Sequence, residues 1–159
     1  MSGKLLTALV LAGALSSALV AGMFYAFSSF IMAALARVPP AEGMRAMNAI
    51  NLTVITPSFM VLFMGTAVLG IGLAIWSLFS IAQTHSQLVL LGALLYLVGC
   101  FGVTMVFNVP LNDRLAAAPT EAPWHSYLET WTLWNSVRTA AAALSSAVMV
   151  AVALRQAAG

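Results

Sequence analysis

The chain has 159 residues, of which 62% are hydrophobic and only 6% are charged, whereas an ordinary soluble domain has roughly 25% charged residues. A soluble globule of this size leaves about a third of its unfolded surface in water, and six Lys/Arg with four Asp/Glu cannot cover it. Lipid must therefore be the solvent for much of the surface. The net charge of +2 is small and its basic residues are scattered, which excludes a nucleic-acid partner.

Four uncharged runs are long enough to cross a bilayer, whose hydrocarbon core of about 30 Å needs roughly 20 residues of helix. The runs cover residues 5–36, 56–82, 88–109 and 131–154, if the fourth helix begins near Glu129. No alternating pattern of a barrel strand is present, and only helices otherwise satisfy every backbone group in lipid. We predict an all-α integral membrane protein, a four-helix antiparallel bundle that forms a single transmembrane domain over residues 1–159.

Four spans place both termini and a short linker near residues 83–87 on one membrane face. The opposite face then carries two longer connections, residues 37–55 and 110–131, which hold one more basic residue than the terminal side. The positive-inside tendency therefore favours cytoplasmic long loops. A bacterial inner membrane is the expected location.

Small residues indicate how the helices pack. Ala8, Ala12 and Ser16 recur at every fourth position, and Gly92 and Gly99 lie one heptad apart. Such stripes let helix backbones approach closely in lipid. The same spacing suits contacts between copies of the chain, so a homo-oligomer is left open.

Polar residues cluster at the loop-side ends of the predicted spans. A short surface helix is predicted over residues 42–51, after Pro39 and Pro40. The third helix is predicted to end at Pro110, which removes a donor and crowds the preceding turn. In the fourth helix Trp131, Trp134, Asn135 and Arg138 follow i, i+3, i+4, i+7 spacing, which places them on one helix face.

Because consecutive spans alternate in direction, these polar ends lie at one membrane surface. We predict that they converge in a single pocket beneath the long loops. The alternative is that they only cap helix ends while the arginine anchors to lipid phosphate. The residues concerned are Asn48, Asn51, Asn108, Asn112, Asn135 and Arg138.

Four segments carry a resemblance to a known family. They are Gly22–Phe30 (GMFYAFSSF), Asn48–Asn51 (NAIN), Phe107–Asn112 (FNVPLN) and Trp131–Arg138 (WTLWNSVR). Together they resemble the anthrone oxygenase-like family of small four-helix membrane proteins, across nearly the whole chain. Relatives often have histidine where this chain has Ser136, so no direct catalytic role is expected at that position.

The resemblance implies oxidation of the central carbon of a flat, phenolic anthrone-type substrate by dioxygen, with no flavin, haem or other cofactor. Such a reaction needs an aromatic slot, a base and donors for an enolate oxygen. His125, with Glu129 one turn on, is the candidate base, and no metal set is expected, since the two histidines lie on opposite faces. The slot candidates are Phe24, Tyr25, Trp131 and Trp134, the donor candidates are Asn108, Asn112, Asn135 and Arg138, and Asn48 and Asn51 are expected to contact the substrate.

Two other classes of protein stay open. A noncatalytic scaffold or binding protein for a lipid or quinone-like ligand would need only the bundle and its pocket. A small transporter would need a polar path across the bilayer, yet the middles of the four runs contain little beyond Ser, Thr and Gly. The expected partners are therefore the lipid bilayer and an apolar aromatic small molecule.

Overall fold

The computed structural model describes residues 3–157, and within them the fold is helical. Four helices are long and apolar enough to cross a membrane. We call them span 1 (Gly3–Leu35), span 2 (Pro57–Phe79), span 3 (Thr84–Ala117) and span 4 (Trp124–Ala157). The predicted all-α class and the four transmembrane helices are confirmed, and the chain is an integral membrane protein.

Three spans are much longer than a bilayer requires. Spans 1, 3 and 4 have 33, 34 and 34 residues, which corresponds to roughly 50 Å of helix, whereas span 2 has 23 residues. Part of each long helix therefore projects beyond the hydrocarbon layer. A surface helix, Pro40–Thr53, joins spans 1 and 2, so the predicted short helix at residues 42–51 is present and somewhat longer.

The predicted end of the third helix at Pro110 is wrong. The turn before it, Thr104–Asn108, is a π-helix, and the Val109 N–H bonds to the Thr104 carbonyl. The following segment, Val109–Ala117, then starts with the proline in its first turn, where a missing N–H leaves no bond unmade. The helix continues, and the loop predicted over residues 110–131 shrinks to residues 118–123.

Wide π turns also occur at Phe27–Ile31 in span 1 and Leu95–Gly102 in span 3. Such turns are rare in proteins overall, and those that occur are often found at functional sites. Of the polar residues predicted to converge, Asn108 lies on the π turn Thr104–Asn108, Arg138 bonds to Thr104 on that turn, and Asn135 bonds to Ser28 on the π turn of span 1.

Spans 1 and 4 make the most extensive helix pair in the bundle. Ala8 and Ala12 are exposed, however, and the small residues that span 1 buries are Gly13, Ala14, Ser17 and Ala21. The predicted stripe on span 1 therefore faces away from the bundle. The helical repeat is 3.6 residues, so the neighbouring row, rotated by one position, packs instead.

The predicted close approach of span 3 is present at both glycines. The Gly92 carbonyl accepts a hydrogen bond of 2.7 Å from the Ser145 hydroxyl. A Cβ atom at Gly99 would lie 2.5 Å from the Ala141 Cβ. Spans 3 and 4 therefore approach each other closely at two levels.

We expect Gly99→Ala to destabilise the bundle by about 1–3 kcal/mol, since the added methyl group must push spans 3 and 4 apart. The matched control is Gly72→Ala in span 2, where a Cβ meets no atom within 4 Å. That change should be neutral, or stabilising by up to about 1 kcal/mol through helix propensity. Unfolding by denaturant in detergent micelles measures both. Equal effects of the two changes would contradict the packing described here.

Candidate functional site

Arg138 is 5% exposed and lies in the interior of the bundle. Its Nε–H donates to Asn135 Oδ1 at 2.9 Å and Nη1 donates to Thr104 Oγ1 at 3.4 Å. The guanidinium carbon lies 3.9 Å from the centroid of the Phe24 ring and 4.8 Å from that of Trp131. Within residues 3–157 every partner of this cation is neutral. Since arginine has five N–H donors, most of them remain available to a ligand.

Asn135 fixes the position of the arginine. The amide is fully buried, and its Nδ2 donates to the Phe24 carbonyl at 2.7 Å and to Ser28 Oγ at 2.6 Å. Its oxygen then accepts from Arg138. Span 1 thus holds Asn135, and Asn135 holds the guanidinium. The π turn that begins at Phe27 places Ser28 within reach.

Asn112 and Asn108 connect spans 3 and 4 on the loop side of the arginine. Asn112 Oδ1 accepts from the Tyr127 hydroxyl at 2.9 Å and from Trp131 Nε1 at 2.8 Å. Asn108 Nδ2 donates to the Trp131 carbonyl at 3.3 Å. These bonds orient the indole whose ring faces Arg138.

A cavity of about 380 Å³ opens in front of this network, a size within the usual range for small-molecule sites of roughly 300–1,000 Å³. All four spans and the surface helix contribute to its wall. Most of the lining is aromatic, aliphatic or methionine. The polar groups in the lining are Asn48, Asn51, Thr104, Asn112, Asp113 and Arg138.

Three buried amide atoms near the cavity have no hydrogen-bond partner within the described residues. They are Asn48 Oδ1, Asn51 Nδ2 and Asn108 Oδ1. Asn51 lies near the Tyr127 hydroxyl, which donates its hydrogen to Asn112 and whose oxygen can still accept a hydrogen bond. An unpartnered buried polar atom costs about 1–3 kcal/mol. Asn48 and Asn51 line the cavity, so a ligand there could satisfy both.

Of the sequence-predicted residues, the structure brings eight together. Phe24, Asn48, Asn51, Asn112, Trp131 and Arg138 line the cavity, and Asn108 and Asn135 lie directly behind it.

Three predicted residues are elsewhere. Tyr25 is 64% exposed, because it follows Phe24 and points to the other side of span 1. Trp134 stacks on Phe107, with ring centroids 3.6 Å apart, because it lies at the edge of the face that Arg138 occupies. His125 is exposed and is absent from the described lining.

Sequence reasoning missed several residues of the cavity. Thr104 bonds to Arg138, and Asp113 is the carboxylate that the described lining contains. Asp113 directly follows the FNVPLN segment. Had the third helix been predicted to continue through Pro110, Asp113 would have been expected on the same helix as Asn108 and Asn112. Apart from Phe24, the phenylalanines and methionines of the wall gave no separate signal in an apolar chain. Within residues 3–157 no group of three or more His, Cys, Asp and Glu could hold a metal ion.

The fold and site together define a class: a small four-helix membrane protein with a buried, unpaired cation at the wall of an apolar cavity. The family model described as "Anthrone oxygenase" matches residues 59–148, which is more than half of the chain. The chain belongs to the anthrone oxygenase family. The match includes Asn108, Asn112, Trp131, Asn135 and Arg138, whereas the surface helix precedes it. Neither the curated proteins nor the solved structures contain a match.

Proposed function

We propose that this protein oxidises a flat, apolar, phenolic substrate of the anthrone type with dioxygen, inside the membrane cavity described above. The observation that carries the proposal is the buried cation without an anionic partner. Burying a charge in a membrane protein is costly and commonly marks a functional position. An anion that forms on the substrate during the reaction would supply the missing partner.

Arg138 has the role of stabilising the enolate oxygen. An anthrone that loses a proton from its central carbon spreads the negative charge onto its carbonyl oxygen. The guanidinium presents unused N–H donors in an apolar, water-poor wall, where such hydrogen bonds are strong. Phe24 and Trp131 hold the cation from its faces, so the donors at its edge are left for the substrate.

Asp113 is the candidate base. It lines the cavity and is exposed at its outer end, so a proton that it accepts can pass to water. His125, the candidate from sequence, is exposed and away from the described lining. Asn48 and Asn51 offer a free acceptor and a free donor, which suit the hydroxyl and carbonyl groups of a polycyclic phenol.

The proposed reaction consumes one dioxygen and releases one water for each substrate. Asp113 removes a proton from the central carbon, and the resulting carbanion forms a carbon–oxygen bond with dioxygen. Protonation gives a hydroperoxide at that carbon. Loss of the second hydrogen as a proton then forms the carbonyl, breaks the O–O bond and expels hydroxide, which leaves as water. The substrate supplies all the electrons.

Oxygen uptake tests the proposal directly. Protein in lipid nanodiscs should consume dioxygen with dithranol, an anthrone, and should release the corresponding anthraquinone in equal amounts. The control is the same nanodisc preparation without protein, because anthrones oxidise slowly on their own. A rate equal to that background would reject this substrate class.

We expect Asp113→Asn to lower turnover by about 10²-fold, the usual contribution of a general base. Glu129→Gln is the matched control, since Glu129 is also exposed but is not in the described lining. Steady-state oxygen uptake with both variants measures the difference. Full activity of Asp113→Asn together with loss in Glu129→Gln would instead favour the His125 and Glu129 pair.

A further inference from the structure

The wall of the cavity is not closed toward the bilayer. Span 2 packs on span 3 along Thr84–Leu94 and Leu95–Gly102. Beyond these contacts, near the start of span 2, cavity-lining residues appear at the surface. Met105 is 42% exposed and Val109 is 37% exposed on span 3, while Leu52 and Ile55, before span 2, are 76% and 65% exposed.

All four of these side chains are apolar. Leu52 and Ile55 come from the segment before span 2, and Met105 and Val109 come from span 3, so we treat the space between these two segments as an opening of the cavity. Along span 3, Val109 is followed by Asp113 and Ala116, which are also exposed lining residues and lie nearer the loop. The opening is therefore apolar at its inner part and polar where the helix leaves the hydrocarbon layer.

A second groove lies on the water side of the same region. Its lining mixes apolar residues with two charged side chains, Arg45 and Glu121, and with the polar Asn48 and Thr120. The groove and the cavity share Asn48 and Ala116, which therefore form the partition between them. At the opening an apolar molecule meets four apolar side chains, whereas on the groove side it must also pass the charged Arg45 and Glu121.

We propose that the opening between Leu52 and Ile55 on one edge and Met105 and Val109 on the other is a lateral portal. Through it, a flat apolar ligand passes from the bilayer to Arg138 without entering water. A molecule that partitions into lipid is already concentrated at this edge of the protein. The identity of the natural ligand rests on the proposed function. Access to the cavity through the portal does not depend on it.

Access can be measured without the enzyme reaction. Thr104 lines the cavity beside Arg138, and Thr104→Cys in a Cys100→Ala background places one thiol there. The probe is N-(1-pyrenyl)maleimide, a flat uncharged reagent dissolved in the lipid of a nanodisc. Its rate of thiol alkylation reports how easily such a molecule reaches the arginine.

The portal is narrowed with Ile55→Phe and Val109→Phe together. We expect alkylation to slow at least about tenfold, the effect of a modest added barrier on a rate constant. Val106→Phe is the matched control, because Val106 is 63% exposed on the same helix but is not in the described lining. That variant should label at the unblocked rate.

Three results would contradict the portal: no alkylation of the unblocked protein, an unchanged alkylation rate in the narrowed variant, or a larger slowing by Ala116→Phe. Ala116→Phe adds bulk between the cavity and the groove on the water side. Failure of the proposed function gives a different pattern. The narrowed variant would still show slow labelling while the unmodified protein takes up no oxygen with dithranol.

Discussion

Arg138→Met should lower turnover strongly while leaving the fold intact. Loss of a group that stabilises a developing oxyanion lowers kcat by about 10²–10³-fold. Stability should hardly change, because no buried carboxylate is left behind. The orphaned acceptors on Asn135 and Thr104 cost about 1–3 kcal/mol, and this is offset by removing an ion whose burial costs several kcal/mol. The thermal midpoint in detergent is therefore expected to stay the same or to rise.

Two further variants sharpen this result. Arg138→Lys keeps the charge but lacks the planar fork of donors, so it should recover only part of the activity. Arg155→Met removes a cation at the opposite end of the bundle, where the residue is exposed, and should keep full turnover. A large fall in the melting temperature of Arg138→Met would show instead that the arginine is a structural element.

Asn135→Asp should inactivate the protein by a different route. The change is nearly isosteric and places a carboxylate where Asn135 Oδ1 now accepts from Arg138 Nε at 2.9 Å. The cation then has a permanent partner, and its stabilisation of a substrate anion should fall by roughly 10²-fold in kcat. Loss of the amide donors to Phe24 and Ser28 adds a moderate stability cost.

The matched control for this neutralisation is Asn108→Asp. Asn108 is 1% exposed and bonds to the Trp131 carbonyl, not to the arginine. The same carboxylate there lacks the guanidinium hydrogen bond, so Asn108→Asp should be the less stable of the two. Turnover of Asn135→Asp within twofold of the unmodified protein would contradict the role assigned to the unpaired cation.

The spans were predictable because hydrocarbon imposes one strong constraint on length and composition. Antiparallel topology then follows from the number of spans. It was sufficient to bring Asn108, Asn135 and Arg138 together, since each lies in the loop-side half of its own span. No motif was needed for that step.

Local backbone geometry was not predictable in the same way. A proline normally ends a helix, and nothing in the sequence announced that a π turn before Pro110 would accommodate it. That turn carries Asp113 along the continued helix to the cavity wall. Helical spacing alone also fails at the edge of a face, where Trp134 stacks on Phe107.

The hydrogen bonds of span 4 have a consequence for how the chain is assembled in the membrane. Span 4 is the last of the four to leave the ribosome, and an arginine at the centre of an inserting helix costs about 2.5–3.5 kcal/mol. Asn135 and Arg138 find their acceptors on spans 1 and 3. Insertion of span 4 is thus favoured when spans 1 and 3 are already in the bilayer. Membrane insertion of the chain is therefore cooperative.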